Sequence, residues 1–105
     1  MIIKTSELDG AALDWAVTKS QGLIMFDIIG RSPSTDWSQG GPLIEKYIGA
    51  TDYEVGQVKE PFYAETRCSN MEAYANGKTI LIAAMRAIVA SKLGDEVDVP
   101  DELVK

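Results

Sequence analysis

The chain has 105 residues, enough for one hydrophobic core and too few for two. Its net charge of −6 repels phosphate backbones and no two lysines or arginines are adjacent, so direct nucleic-acid binding is not expected. Histidine is absent and Cys68 is the only cysteine, which removes histidine bases, Ser-His and Cys-His nucleophile pairs, His-containing zinc sites and internal disulfides.

In chain order, Met1 to Lys4 reads as a short opening strand. Ser6 offers an N-cap to a following helix, with Glu7 and Asp9 in the first turn, where the helix dipole favours negative charge. Leu8, Ala12, Trp15, Ala16 and Lys19 share one face of that helix, and Gly22 stands where it would stop. The run LIMFDII, Leu23 to Ile29, is rich in strand formers and reads as a central strand broken only by Asp27. Gly30 to Gly41 has loop composition, and Pro42 suits the first turn of a second helix carrying Leu43, Ile44, Tyr47 and Ile48 on one side.

Val55 to Val58 and Pro61 to Arg67 alternate weakly and pair as strands in this reading, while Ser69 to Gly77 looks turn-like, with Asn76-Gly77 its strongest signal. Thr79 to Leu93 is the clearest element, capped by Thr79 and ended by Gly94. Leu81, Ile82, Met85, Ile88, Val89 and Leu93 form a large-residue face, and Ala83, Ala84, Ala87, Ala90 and Ser91 a small-residue face. A helix apolar on both sides is packed on both sides, which makes this the central helix. The order of elements predicts an α+β or small α/β sandwich, and of these the α+β form is the primary expectation: one sheet packed against three helices, the last of them spanning 79–93. Residues 1–94 form the expected globular domain. Residues 95–105, with 5 acidic and 1 basic side chains, form an expected solvated acidic tail, a surface for a basic partner being the other reading.

Residues 1–7 lack the apolar core of a signal peptide, and the longest apolar run, Ile80 to Met85, is too short to cross a bilayer. A cytoplasmic setting is expected, with no membrane segment, no metal and no cofactor. The tail lacks the ligand spacing of a calcium loop.

Four stretches carry a family resemblance: IKTSELDGAALDWAV, PSTDWSQGGPLIEK, GKTILIAAMRAIVASKLGDEV and the closing VPDEL. Together they resemble the small NinX-like proteins of lambdoid bacteriophages and prophages, with the match weakest between Gly49 and Ala75. The resemblance implies a bacterial cell during phage infection, or expression from a resident prophage. It carries over no catalytic residues and leaves the function open.

The stretch STDWSQGGP has a structural and a functional reading. As structure, Ser34, Thr35 and Asp36 are capping residues, Gly40-Gly41 allow tight turns, and Trp37 lids the core. As a site, the Gly40-Gly41 backbone at a helix start binds an anion or carbonyl, Trp37 stacks, and Asp36 accepts a hydrogen bond. Arg86 falls at the seam of the two faces of the last helix, with its head either in water or paired to Asp36 or Asp27. The expected site is thus Asp36, Trp37, Gly40, Gly41 and Arg86, with Trp37 at the rim of a shallow pocket. The leading function is a non-enzymatic accessory protein that binds a host or phage protein through the Trp37 loop. The rivals are a small polar ligand- or nucleotide-binding protein using the same five residues, and an acidic decoy for a nucleic-acid-binding host protein. Self-association is not readable from the sequence.

Overall fold

The other described elements are arranged around one helix, residues Ile80–Leu93. The structure is a computed structural model that describes residues 1–20, 32–53, 59–66 and 73–103. Its elements are β1 (Ile2–Lys4), α1 (Gly10–Ser20), α2 (Trp37–Tyr47), β2 (Ile48–Tyr53), β3 (Phe62–Thr66), β4 (Tyr74–Gly77), α3 (Ile80–Leu93) and β5 (Glu96–Asp98). Short 3-10 turns follow β1, at Thr5–Glu7, and close the described chain, at Asp101–Leu103. The fold is α+β, with three α-helices among the described residues, as the sequence predicts. No helix among them is long and apolar enough to cross a membrane.

The expected caps of α3 are in place. The Thr79 hydroxyl accepts from the Ile82 N–H at 3.1 Å, and the Gly94 N–H closes the helix on the Ala90 carbonyl. Every residue from Leu81 to Val89 is buried, so both faces are covered. One antiparallel sheet, in the order β2-β3-β4, and helices α1 and α2 all pack on α3. Ala64 and Ala75 face the core from the sheet, where small side chains let the sheet approach the alanines of α3 closely.

Several expectations change. The N-cap proposed at Ser6 is instead inside the Thr5–Glu7 turn, and α1 starts at Gly10, whose N–H donates to the Asp9 carboxylate at 2.8 Å. The reason is long-range: Thr5 donates through its N–H to Asp95 O and through its hydroxyl to Gly94 O, tying the turn to the end of α3. Asn76-Gly77 is not a turn but the end of β4. A Cβ on Gly77 would come within 2.6 Å of the Ala83 N, so its bare backbone serves close packing on α3. β2 is a strand that the sequence does not announce, because all but Ile48 of its residues are exposed and no hydrophobic alternation marks it.

The acidic end is not a solvated tail. β5 pairs antiparallel with β1 in a separate two-stranded sheet, matching Ile3 to Val97, and Val97 and Val99 are buried in the core. Leu103 packs partly against the same core. The alternation of valines with acids is a strand pattern with one face inward, and burial of the two valines holds it against α3 and β1. The globular unit therefore extends past residue 94. The strand expected at Leu23 to Ile29, the Gly22 stop, Asp27, Val55 to Val58 and Cys68 lie outside the described residues.

Candidate functional site

The stretch that the sequence singles out is a helix start, five residues earlier than Pro42 suggests. Asp36 is the N-cap of α2, in extended conformation. Its Oδ1 accepts from the Ser38 N–H at 3.0 Å and the Ser38 hydroxyl at 2.7 Å, and its Oδ2 accepts from the Gln39 side-chain amide at 3.0 Å. These donors, the Ser38 hydroxyl first, then the Ser38 N–H and Gln39, hold the Asp36 carboxyl below the usual carboxylate range. Gln39 in turn accepts from the Ser32 N–H at 2.8 Å, so the loop and the first turn lock together. Farther back, the Ser34 N–H donates to Asp14 Oδ1 at 2.8 Å and fastens the loop to α1. Burial raises the Asp14 carboxyl, and the Ser34 hydrogen bonds oppose that rise.

Because the helix starts at Trp37, Gly40 and Gly41 sit inside it and offer no free N–H nest. The Gly40 N–H already donates to the Asp36 carbonyl at 2.8 Å. Pro42 likewise lies within the helix rather than in its first turn. The glycines have packing roles instead. A Cβ on Gly40 would collide with the Pro33 carbonyl and approach Leu81 Cδ2 to 2.6 Å, so glycine is what lets α2 lie on α3. Gly41 is where the Trp37 ring rests, with Trp37 Cε3 at 3.8 Å from the position a Cβ would take. Trp37 itself is 57% exposed, so it does not lid the core. Leu43, Ile44 and Tyr47 face inward as expected, with Glu45 and Lys46 outward, while Ile48, expected on the same helix face, is buried as the first residue of β2.

Arg86 belongs to a different place. It is only 5% exposed. Its Nε donates to Leu8 O at 2.7 Å, and its Nη1 donates to Asn76 O at 2.9 Å and is ion-paired with Glu60. The expected pairing of Arg86 with an acid is therefore made, but with Glu60 rather than Asp36, while Asp27 lies outside the described residues. The physical reason is satisfaction: Asp36 is fully occupied by its own first turn, whereas two backbone carbonyls and a carboxylate converge on the guanidinium.

Five nominated residues thus divide in two. Asp36, Trp37, Gly40 and Gly41 form one exposed, hydrogen-bonded helix start, and Arg86 forms a buried node elsewhere. Ser32, Ser38 and Gln39 complete the first group and were not singled out from the sequence. Their signal was available, since an N-cap followed three residues later by Gln is the pattern of a capping box. Glu60 and Asn76, partners of Arg86, had no such local signal.

Compared with known proteins, the chain is matched over residues 24–92 by the family model described as "Bacteriophage P22, NinX". The match covers well over half of the chain, and the chain belongs to this family. No curated protein matches it.

Proposed function

We propose that this member of the phage NinX family is a non-enzymatic accessory protein of the infected or prophage-bearing bacterial cytoplasm, and that it binds a host or phage protein through Trp37. The observation that supports the reading is an exposed tryptophan held on an immobilised helix start. Interface hot spots are enriched in tryptophan, and a backbone already held in place loses little conformational entropy when a partner covers the side chain it carries. The Asp36, Ser38 and Gln39 bonds fix the backbone from which Trp37 projects, and Gly41 gives its ring a flat seat.

The alternative of a small polar ligand has less support. Both Asp36 oxygens, the Gly40 N–H and the Arg86 guanidinium, which that reading needs free and together, are each engaged in hydrogen bonds within the chain. The test is capture from lysate of an infected host, with wild type and Trp37→Ala side by side, next to a thermal-shift screen of nucleotides and metabolites. The expected result is a stoichiometric protein retained by wild type, lost with Trp37→Ala, and no small-molecule shift. Equal capture by both proteins, or a nucleotide shift that depends on Asp36, would overturn the reading.

A further inference from the structure

A second surface lies on the opposite kind of structure, a strand edge. In the antiparallel pair β3-β4 the Thr66 N–H donates to Ala73 O, and the register matches Ala64 to Ala75 and Phe62 to Gly77. Hydrogen-bonded and non-bonded pairs alternate along an antiparallel ladder. The N–H and C=O of Tyr74 and Asn76 therefore point away from β3, toward the edge that no strand among the described residues covers. Arg86 bears this out at one group, since it donates to Asn76 O. The Tyr74 N–H, the Tyr74 C=O and the Asn76 N–H have no partner among the described residues.

The other edge of the same sheet is blunted. In β2 the Tyr53 N–H is taken by the Asp52 carboxylate at 2.7 Å, and a register irregularity between Ile48 and Ala50 interrupts the ladder. Natural proteins protect edges by such devices. β4 carries neither, only its Asn76 carbonyl being taken by Arg86, and it opens onto a cleft of about 530 Å³ lined by Tyr74 and Asn76 on the β4 side, by Ala90 of α3, by Lys4 and Glu96 of the β1-β5 sheet, and by Asp95 just before β5. The cleft thus separates two sheets that share one helix.

We infer that this cleft takes an extended, basic segment of a partner protein, which adds a strand to β4. The backbone of the segment pairs with the Tyr74 N–H and C=O and with the Asn76 N–H, the Asn76 carbonyl staying with Arg86, and its lysine or arginine side chains meet Asp95 and Glu96. The sign follows from the lining, where Lys4 is one cation against those two exposed carboxylates and Glu60 is already held by Arg86. Strand addition draws affinity from main-chain hydrogen bonds and specificity from alternate side chains. The surface is separate from Trp37 and does not depend on the reading given above.

The experiment is an amide NMR titration of the full chain with an acetylated, amidated octapeptide alternating lysine and valine. A glutamate-valine counterpart and a fully N-methylated counterpart serve as controls. The Tyr74 and Asn76 amides are expected to shift and to exchange more slowly with the lysine peptide alone. Glu96→Lys, an exposed change, should weaken that response about threefold, the scale of a partly exposed ion pair. No movement of the two amides at millimolar lysine peptide would overturn the inference, as would an equal response to either control. Protection of both amides without peptide, rising with protein concentration and accompanied by a dimer in sedimentation, would assign the edge to a second copy and overturn it too.

Discussion

The start of α2 and the node around Arg86 each centre on one charged side chain surrounded by hydrogen-bond partners, yet they differ in reach. The Asp36 carboxylate draws its donors from Ser38 and Gln39, two and three residues away. The partners of Arg86 lie 78, 26 and 10 residues away in sequence. The first network forms with its own helix turn and leaves Trp37 in solvent. The second forms only when the loop before α1, the entry to β3 and the end of β4 have all arrived at α3. One arrangement presents a surface; the other joins the fold together.

That contrast breaks most sharply at Arg86. Arg86→Met leaves the Leu8 and Asn76 carbonyls without their donor and Glu60 without its cation, and should cost about 3 kcal/mol in denaturant unfolding. Glu60→Gln should cost much less, because Glu60 is 35% exposed and the guanidinium keeps its two carbonyls. A loss under about 1 kcal/mol for Arg86→Met, the size of one ordinary hydrogen bond, would show that the node does not hold the elements together.

Next in size is a pair of neighbouring glycines with opposite expected signs. Gly40→Ala drives a methyl group into Pro33 and Leu81 and should destabilise by about 1–3 kcal/mol, the usual cost of overpacking. Gly41→Ala meets only ordinary contact with Trp37 and should be neutral or stabilising by up to about 1 kcal/mol from helix propensity. Thermal melts of the two variants distinguish a packed helix interior from a glycine nest. Equal losses would contradict the packing roles assigned here.

A smaller effect is expected at Asp36, and it depends on pH. Its carboxyl is lowered in the folded chain, so the unfolded chain binds more protons in the acid range. The contribution of Asp36 is therefore complete above the unfolded value near 3.8 and disappears as pH falls through the lower folded value. Asp14 contributes with the reverse sign, because burial raises its carboxyl and its protonated form favours folding. The informative quantity is thus the difference in melting temperature between wild type and Asp36→Asn, which should shrink on acidification. A difference that is constant down to acid pH would mean that the carboxylate charge contributes nothing to the cap.

The smallest effect on stability, within about 0.5 kcal/mol, belongs to Trp37→Ala, as for an exposed residue away from the core. The same substitution should have the largest effect on partner capture. A loss of several kcal/mol in unfolding would place Trp37 with the core residues and remove the contrast from which this comparison starts.

The sequence was most legible where hydrogen bonds close within a turn or where a helical stripe repeats. Thr79, Gly94 and the two faces of α3 are in this class, as are the opening strand and the inward face of α2. The Asp36 cap was legible as a capping residue, although Pro42 pulled the expected helix start too late. Pro42 is the sixth residue of the helix, where its missing N–H removes a bond to the Ser38 carbonyl, and for that reason a local rule reads it as a helix start. β2 was not legible because an exposed strand has no alternation to read. The acidic end misled because its two buried valines were outnumbered by charges facing water.

By itself, then, the sequence determined the α+β class, the central helix with both of its caps, the absence of histidine chemistry, and a family resemblance that the match over residues 24–92 supports. These depend on composition and on contacts within a few residues, which a linear pattern records. Only the tertiary structure decided that Arg86 pairs with Glu60, that Gly40 is a packing glycine, that Trp37 stays exposed, and that β5 completes the fold beside β1. Each of those depends on which distant backbone or side chain arrives at the same point in space, and hydrogen-bond satisfaction at that point selects the partner.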